Sequence, residues 1–381
     1  MSAPLSPLLA SLAAYPFVRL EEAKREAAAT GVEILDFGVG DPREPTPELV
    51  RTALVEALTA ASSYPLAQGL PELREAIAGW ADRRFGVTLD PDREIIPTLG
   101  SKEAIFSLAQ VVVGDRRLVA VPDPGYPVYE RGALFAGAEP LAVPLLERNG
   151  FLPDLDALGD DVWDRLAIFW VNYPNNPTGA VAPLELYERL AERARRHGFV
   201  LASDEAYTEL WFESPPASAL QLADRRNVLV FNTLSKRSSM TGYRSGFAAG
   251  DPELIAGLRA FRPTVGTAPQ EFVQRASIAA WGDEAHVEET RERYRAKRAL
   301  LAGVLERKGL RIAGSAATMY LWVEVPAGET SEGFARGLLA HGVVVAPGSY
   351  LGAAGEGYVR LALVPSLEDC RKAAAILEEV L

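Results

Sequence analysis

Between residues 46 and 260 the chain switches repeatedly between two rhythms of apolar and polar positions. "TPELVRTALVEALTAA" and "GLPELREAIAGWADRRFG" repeat apolar residues every three or four positions, the spacing of a helix with one buried face. Thr46 and Pro47 stand where an N-cap and first turn belong, and Gly86 stands where a helix ends. "EIIPTLG" is a short strand pattern that runs into the helical "SKEAIFSLAQVVV". Six more short apolar runs follow: "RLVAVP", "PLAVPL", "RLAIFWVNYP", "GFVLASDEAY", "NVLVFNTLS" and "RSGFAAG". Each is rich in β-branched or aromatic residues, bounded by turn residues, and separated from the next by a helix or loop. That alternation predicts an α/β fold with a mostly parallel, seven-stranded sheet covered on both faces.

Beyond "GDPELIAGLRAF" the rhythm changes. A long helical stretch, Asp283 to Gly309, is charged along one face. The strand patterns "TMYLWVEV", "GVVVAPG" and "GYVRLALV" follow, then a final helix. Clustered strands flanked by helices predict a smaller α+β domain. The expected division is a large domain over 41–265 and a small domain built from 1–40 and 266–381.

Composition narrows the possible partners. A length of 381 residues suits two lobes, and 48% hydrophobic with 24% charged residues is ordinary globular chemistry. The net charge of −12 repels phosphate backbones, so nucleic acid is not the expected partner. The one cysteine, Cys370, excludes an internal disulfide and sits in a helical pattern as a packed thiol. His197, His286 and His341 lack metal-ligand spacing, so no metal is expected. "MSAPLSPLLASLAAYPF" lacks the basic start and long apolar run of an export signal, and no stretch approaches the ~18 apolar residues of a membrane span. A cytoplasmic protein with no membrane partner is the expectation.

Ligands of open α/β sheets collect at the carboxyl ends of strands, and the unusual polar residues of this chain fall there. "GSKEA" sets Ser101 and Lys102 at a helix start, which is either a plain cap or an anion site. "PDPGYPVYE" braces Tyr126 between prolines, as a stacking plate or as packing. "NYPNNPTG" ends an apolar strand with Asn176 in a turn, where a buried amide needs a partner. "SDEAYTEL" places Asp204 at another strand end, where a carboxylate needs a cationic partner. "NTLSKRSSMTGYR" holds Lys236 among hydroxyls, with Arg244 eight residues on. Each feature alone has a bland reading. Together they supply an acid, an aromatic plate, amide and phenol donors, an anion site, a lysine and an arginine. A phosphorylated pyridine aldehyde joined to lysine as a Schiff base uses that whole set.

In the order and spacing of "NNPTG", "DEAY" and "SK" with its following arginine, the chain resembles the fold-type-I, class I/II pyridoxal-phosphate aminotransferases along essentially its whole length. The resemblance implies that Lys236 is the Schiff-base lysine and that Asp204 pairs with the pyridinium nitrogen of pyridoxal 5'-phosphate. It implies that Asn176 and Tyr207 bond the phenolic oxygen and that Tyr126 stacks on the ring. The phosphate is expected on Ser101, the Lys102 backbone, Thr233, Ser235 and Arg244, with Tyr64 reaching it from the neighbouring subunit of a homodimer. Arg360 in "GYVRLAL" matches the arginine that clamps the substrate α-carboxylate, and Tyr15 and Gly40 match substrate-side positions. One departure is Gly266-Thr267-Ala268-Pro269, where many relatives carry an asparagine.

The implied activity is ping-pong amino transfer between amino acids and 2-oxo acids, with Lys236 moving the proton. Arg237, Ser238 and Ser239 after the lysine resemble enzymes of the N-succinyl-diaminopimelate and LL-diaminopimelate type. N-succinyl-diaminopimelate with glutamate and 2-oxoglutarate, in lysine biosynthesis, is therefore the leading expectation. An aspartate or broad-specificity aminotransferase is the alternative, and a β-lyase of the same fold is a further one. A transcription-factor sensor domain would require a DNA-binding domain ahead of this lobe.

Overall fold

The computed structural model describes residues 6–12, 16–61 and 63–381. Its first strand, β1 (Leu35–Phe37), leads through two helices to a run of strands spaced by helices. These are β2 (Ile95–Thr98), β3 (Leu118–Asp123), β4 (Glu139–Pro144), β5 (Leu166–Asn172), β6 (Val200–Asp204), β7 (Val228–Thr233) and β8 (Gly246–Gly250). They form one seven-stranded sheet in the order β2-β8-β7-β6-β5-β3-β4. Only β8 runs against its neighbours.

The unbroken apolar strand patterns have a direct cause, because both faces of this sheet are covered. Val119, Ile168, Trp170, Ala202, Leu229 and Phe231 point into one core cluster. Their chain neighbours Leu118, Ala120, Phe169, Val171, Leu201 and Val230 point into the other. Period-two alternation thus feeds two cores from one set of strands.

A second sheet, in the order β1-β11-β12-β10-β9, contains β9 (Ile312–Gly314), β10 (Tyr320–Glu324), β11 (Val343–Pro347) and β12 (Tyr358–Ala362). β1 pairs parallel with β11, and this returns the early chain to the later sheet. Leu301, Val304 and Leu305 of the long helix Ala285–Arg307 pack under it, as does Cys370 of the last helix, Leu367–Val380. The mixed α/β architecture expected from the sequence is therefore present.

Two details differ from the sequence expectation. A boundary at 265 puts the helix Glu271–Gly282 with the smaller sheet, yet its Ala276, Ala280 and Trp281 lie in the larger core. Trp281 packs there against Trp80 and Phe247, so aromatic burial holds that helix on the larger sheet. Thr46 does not cap the following helix, Glu48–Glu56, whose cap position is Pro47. The Thr46 hydroxyl instead donates to the Ser239 carbonyl at 2.7 Å, which ties the chain before that helix to the segment carrying Lys236. Among the described residues, no helix is long and apolar enough to cross a membrane.

Candidate active site

β5 and β6 end side by side, with Asn172 and Asp204 as register partners. Asn172 donates to the Asp204 carbonyl at 2.8 Å, and its side-chain oxygen accepts the Asn176 N–H at 2.8 Å. One amide thus fixes two strand ends. The Asp204 carboxylate accepts from the Tyr129 hydroxyl at 2.7 Å and from the Ala206 N–H at 3.2 Å. Burial raises its pKa to about 6 against the pull of those two donors and of Lys236.

β7 ends at Thr233, whose hydroxyl accepts the Ser235 N–H at 3.2 Å and so caps the short helix Leu234–Arg237. The same hydroxyl lies 2.9 Å from the Ser235 hydroxyl and 2.9 Å from the Ser245 carbonyl. Lys236 leaves this turn and donates to the Gly40 carbonyl at 2.5 Å. Burial lowers its ammonium to about 8, aided by Arg360 and Arg244 and opposed by Asp41 and Asp204. An amine tuned so low exchanges protons readily near neutral pH. At Gly40 a Cβ would come within 2.2 Å of the Tyr320 hydroxyl oxygen, so only glycine lets that carbonyl reach the lysine.

An anion corner lies on the other side of Lys236. The helix Gly100–Val112 starts there with Ser101 and Lys102. Arg244 has a left-handed backbone (φ 56°) and turns its guanidinium back onto that helix start. It donates to the carbonyls of Thr241 at 2.9 Å and Leu99 at 3.1 Å. A Cβ on Gly100 would stand 2.6 Å from the Arg244 Nη2, so the close approach depends on glycine. Lys102 lies 5.9 Å from the Tyr126 ring centre, and its pKa is lowered by burial and then by Arg244.

Across the cavity, Arg360 comes from β12 in the smaller sheet. It donates to the Asn176 side-chain oxygen at 2.8 Å and to the Gly38 carbonyl at 2.7 Å. The Tyr320 ring lies 4.5 Å away and the Phe17 ring 5.5 Å. Tyr207 and Tyr320 share a hydrogen bond of 2.7 Å between their hydroxyls.

These groups line one cavity of about 540 Å³. It gathers Gly40, Ser101, Lys102, Tyr126 and Asn176 from the sequence-predicted set. Asp204, Tyr207, Thr233, Ser235, Lys236, Arg244 and Arg360 of that set line it as well. Tyr64 does not line it and is fully exposed on this chain. Tyr15 lies outside the described residues. Arg237 is also elsewhere. It is buried against Glu284, the Ala280 and Asp283 carbonyls and the Trp281 ring, so its expected tie to substrate choice has no geometric basis.

Sequence reasoning missed Phe17, Asp41, Tyr129, Asn172 and Tyr320, which also line the cavity. Tyr129 follows Tyr126 by one helical turn and Asn172 opens the "NYPNNPTG" motif, so both had a local signal. Tyr320 had none.

The sequence family described as aminotransferase class I and II matches residues 32–377. This chain belongs to the class I and II aminotransferases. It is similar to an LL-diaminopimelate aminotransferase of Aquifex aeolicus (strain VF5), 43% identical over 377 residues and 97% of each chain. Its structure is similar to that of a probable N-succinyldiaminopimelate aminotransferase from Thermus thermophilus. That match has a TM-score of 0.89 and 35% identity, over 96% of this chain and 100% of that one. It is also similar to the Thermus thermophilus aspartate aminotransferase with maleate, with a TM-score of 0.91, 33% identity and 100% of both chains covered.

The protein is thus a pyridoxal-phosphate-dependent transaminase. Its cavity fits that cofactor on its own terms. Lys102, Lys236, Arg244 and Arg360 face it against only Asp41 and Asp204, an excess of positive charge that suits a phosphate and a carboxylate. Arg244 donates to carbonyls and makes no ion pair with the described residues. Asp204 supplies a buried acid for a ring nitrogen.

Proposed function

We propose that this aminotransferase acts on LL-diaminopimelate, with 2-oxoglutarate as amino acceptor, as a step of lysine biosynthesis. The observation that carries the site assignment is Arg360, a buried guanidinium whose hydrogen bonds go to an amide oxygen and a carbonyl and to no carboxylate. A planar fork left uncompensated in a dry site favours a substrate α-carboxylate. The name of the relative at 43% identity favours the free diamino acid over its succinylated form. Arg237, which with Ser238 and Ser239 resembles both diaminopimelate-type enzymes, lies outside the cavity lining and does not choose between the two forms.

In this reading the cofactor supplies an electron sink for the carbanion at the substrate Cα. Lys236 would hold the cofactor, and its amine would move the proton at the substrate Cα. Asp204 holds the ring nitrogen protonated, Asn176 and Tyr207 orient the phenolic oxygen, and Tyr126 covers the ring. Ser101, the Lys102 backbone, Thr233, Ser235 and Arg244 receive the phosphate. Gly40 and Arg360 hold the substrate.

A panel of LL-diaminopimelate, its N-succinyl derivative, aspartate and neutral amino acids against 2-oxoglutarate tests the substrate. LL-diaminopimelate should give the highest kcat/KM. Aspartate ahead of it would overturn the substrate and leave amino transfer intact.

The proposal includes a homodimer in which Tyr64 reaches the phosphate of the neighbouring site. Its full exposure beside the exposed Leu58 and Leu66 supports that reading. Lys236→Ala should abolish turnover, and mixing it with a weakened Tyr64→Ala variant should restore activity through one wholly wild-type site per hybrid. Failure of the mixture, with a monomer in light scattering, would remove the dimer.

A further inference from the structure

We propose that Tyr129 is the positioning residue for Asp204, the donor that keeps this carboxylate ionised and aimed at the ring nitrogen of the cofactor. The inference rests on the reading that Asp204 faces that nitrogen.

Tyr129 is held too firmly to serve as a passing contact. It is buried in the helix Val128–Phe135, its ring stacked on Trp170 with centres 4.9 Å apart and planes at 23°. Tyr126 meets it edge-on at 5.9 Å. The hydroxyl ends 2.7 Å from the Asp204 Oδ2.

Asp204 has few other supports. Its other oxygen accepts the Ala206 N–H at the longer distance of 3.2 Å, and it makes no ion pair with the described residues. Lys236, from the turn after β7, acts on it through charge alone. Tyr207 and Tyr320 lie within its field, and the adjacent buried Glu205, itself pushed up to about 7 by burial, offers it no donor or cation. Burial and the field of Asp204 push the Tyr129 phenol well above its ordinary pKa. It therefore stays a neutral donor and does not compete with Asp204 for the negative charge.

Loss of this hydroxyl leaves the carboxylate with one long bond in a dry site. The proton that belongs on the ring nitrogen then moves toward Asp204, because an unsupported buried anion is the costlier partner. Substrate grip is untouched, since Arg360 lies on the other sheet.

The test uses holoenzyme loaded with cofactor labelled with nitrogen-15 in the ring. Tyr129→Phe keeps the ring against Trp170 and removes only the donor. The ring nitrogen signal should move toward the unprotonated range. kcat should fall about ten- to hundred-fold, the worth of a hydrogen bond to a charged group, with KM nearly unchanged. In an Asp204→Asn background the same change should cost less than about three-fold, since the carboxylate it serves is gone.

An unmoved nitrogen signal in Tyr129→Phe would overturn the proposal. So would an equal loss in both backgrounds, which would mean that Tyr129 acts through packing. If Asp204→Asn alone changes neither signal nor rate, the Asp204 assignment falls and the proposal falls with it. If Asp204→Asn collapses both while Tyr129→Phe changes neither, only the role of Tyr129 is refuted.

Discussion

Arg360 and Arg237 are hidden to the same depth, at 2% and 1% exposure, in opposite electrical surroundings. Arg237 is compensated. It meets Glu284 at 2.8 Å and the Ala280 carbonyl at 2.6 Å, and its guanidinium lies 5.1 Å from the Trp281 ring centre. The next residue, Ser238, continues the same network to His286 at 2.8 Å and on to Asp283 at 2.6 Å. Arg360 has an amide oxygen, a carbonyl and two aromatic faces, with no acid in the set. A buried cation without an anion costs several kcal/mol, and a fold retains one where a ligand supplies the missing charge. Depth of burial therefore does not mark a binding residue. Unbalanced charge at that depth does.

The larger effect in this comparison belongs to Arg360. Arg360→Lys keeps the charge and loses the planar fork, so KM should rise for every amino and keto acid together. The rise should be about ten- to hundred-fold, corresponding to ~1.5–3 kcal/mol for a charge-assisted hydrogen bond. The melting temperature should hardly move, because no internal ion pair is broken. Half-reaction kinetics across the donor panel measure this directly. A KM that stays fixed would move the α-carboxylate to another cation of the cavity.

The two arginines were hard to tell apart in the sequence, and the reason is physical. Arg237 follows a strand-like run and Arg360 sits inside one, and the acid that separates them, Glu284, lies 47 positions from Arg237. Six strands of the large sheet were legible because burial on both faces leaves unbroken apolar runs, while the edge strand β4, only partly buried, was read from its short apolar run alone. β1 and β9 were not, since three residues each carry too little period to read. The lining motifs were legible at strand ends, where polar residues interrupt apolar ones. Tyr320 was not, because it sits inside a strand run and faces the cavity only after β10 pairs with β12. Tyr129 supplies a bond across 75 residues that no local pattern encodes.

The smaller effect, and the sharper test of the comparison, is Arg237→Met. Methionine can keep part of the contact with Trp281 while it removes the charge. The lost bonds to the Ala280 and Asp283 carbonyls then leave acceptors short of a partner. Glu284 is less of a liability, because its side chain is 44% exposed and can turn to water. A stability loss of about 2 kcal/mol follows, below the 3–5 kcal/mol of breaking a fully buried pair. Denaturant unfolding of the holoenzyme should report it as a lower midpoint. The activity prediction is a ratio. Because the Arg237 side chain hydrogen-bonds to no residue of the cavity lining, kcat/KM for LL-diaminopimelate relative to aspartate should stay within about two-fold of wild type. A selective loss for one substrate would show that the segment after Lys236 shapes the pocket through its backbone, and compensated charge would then no longer separate scaffold from site.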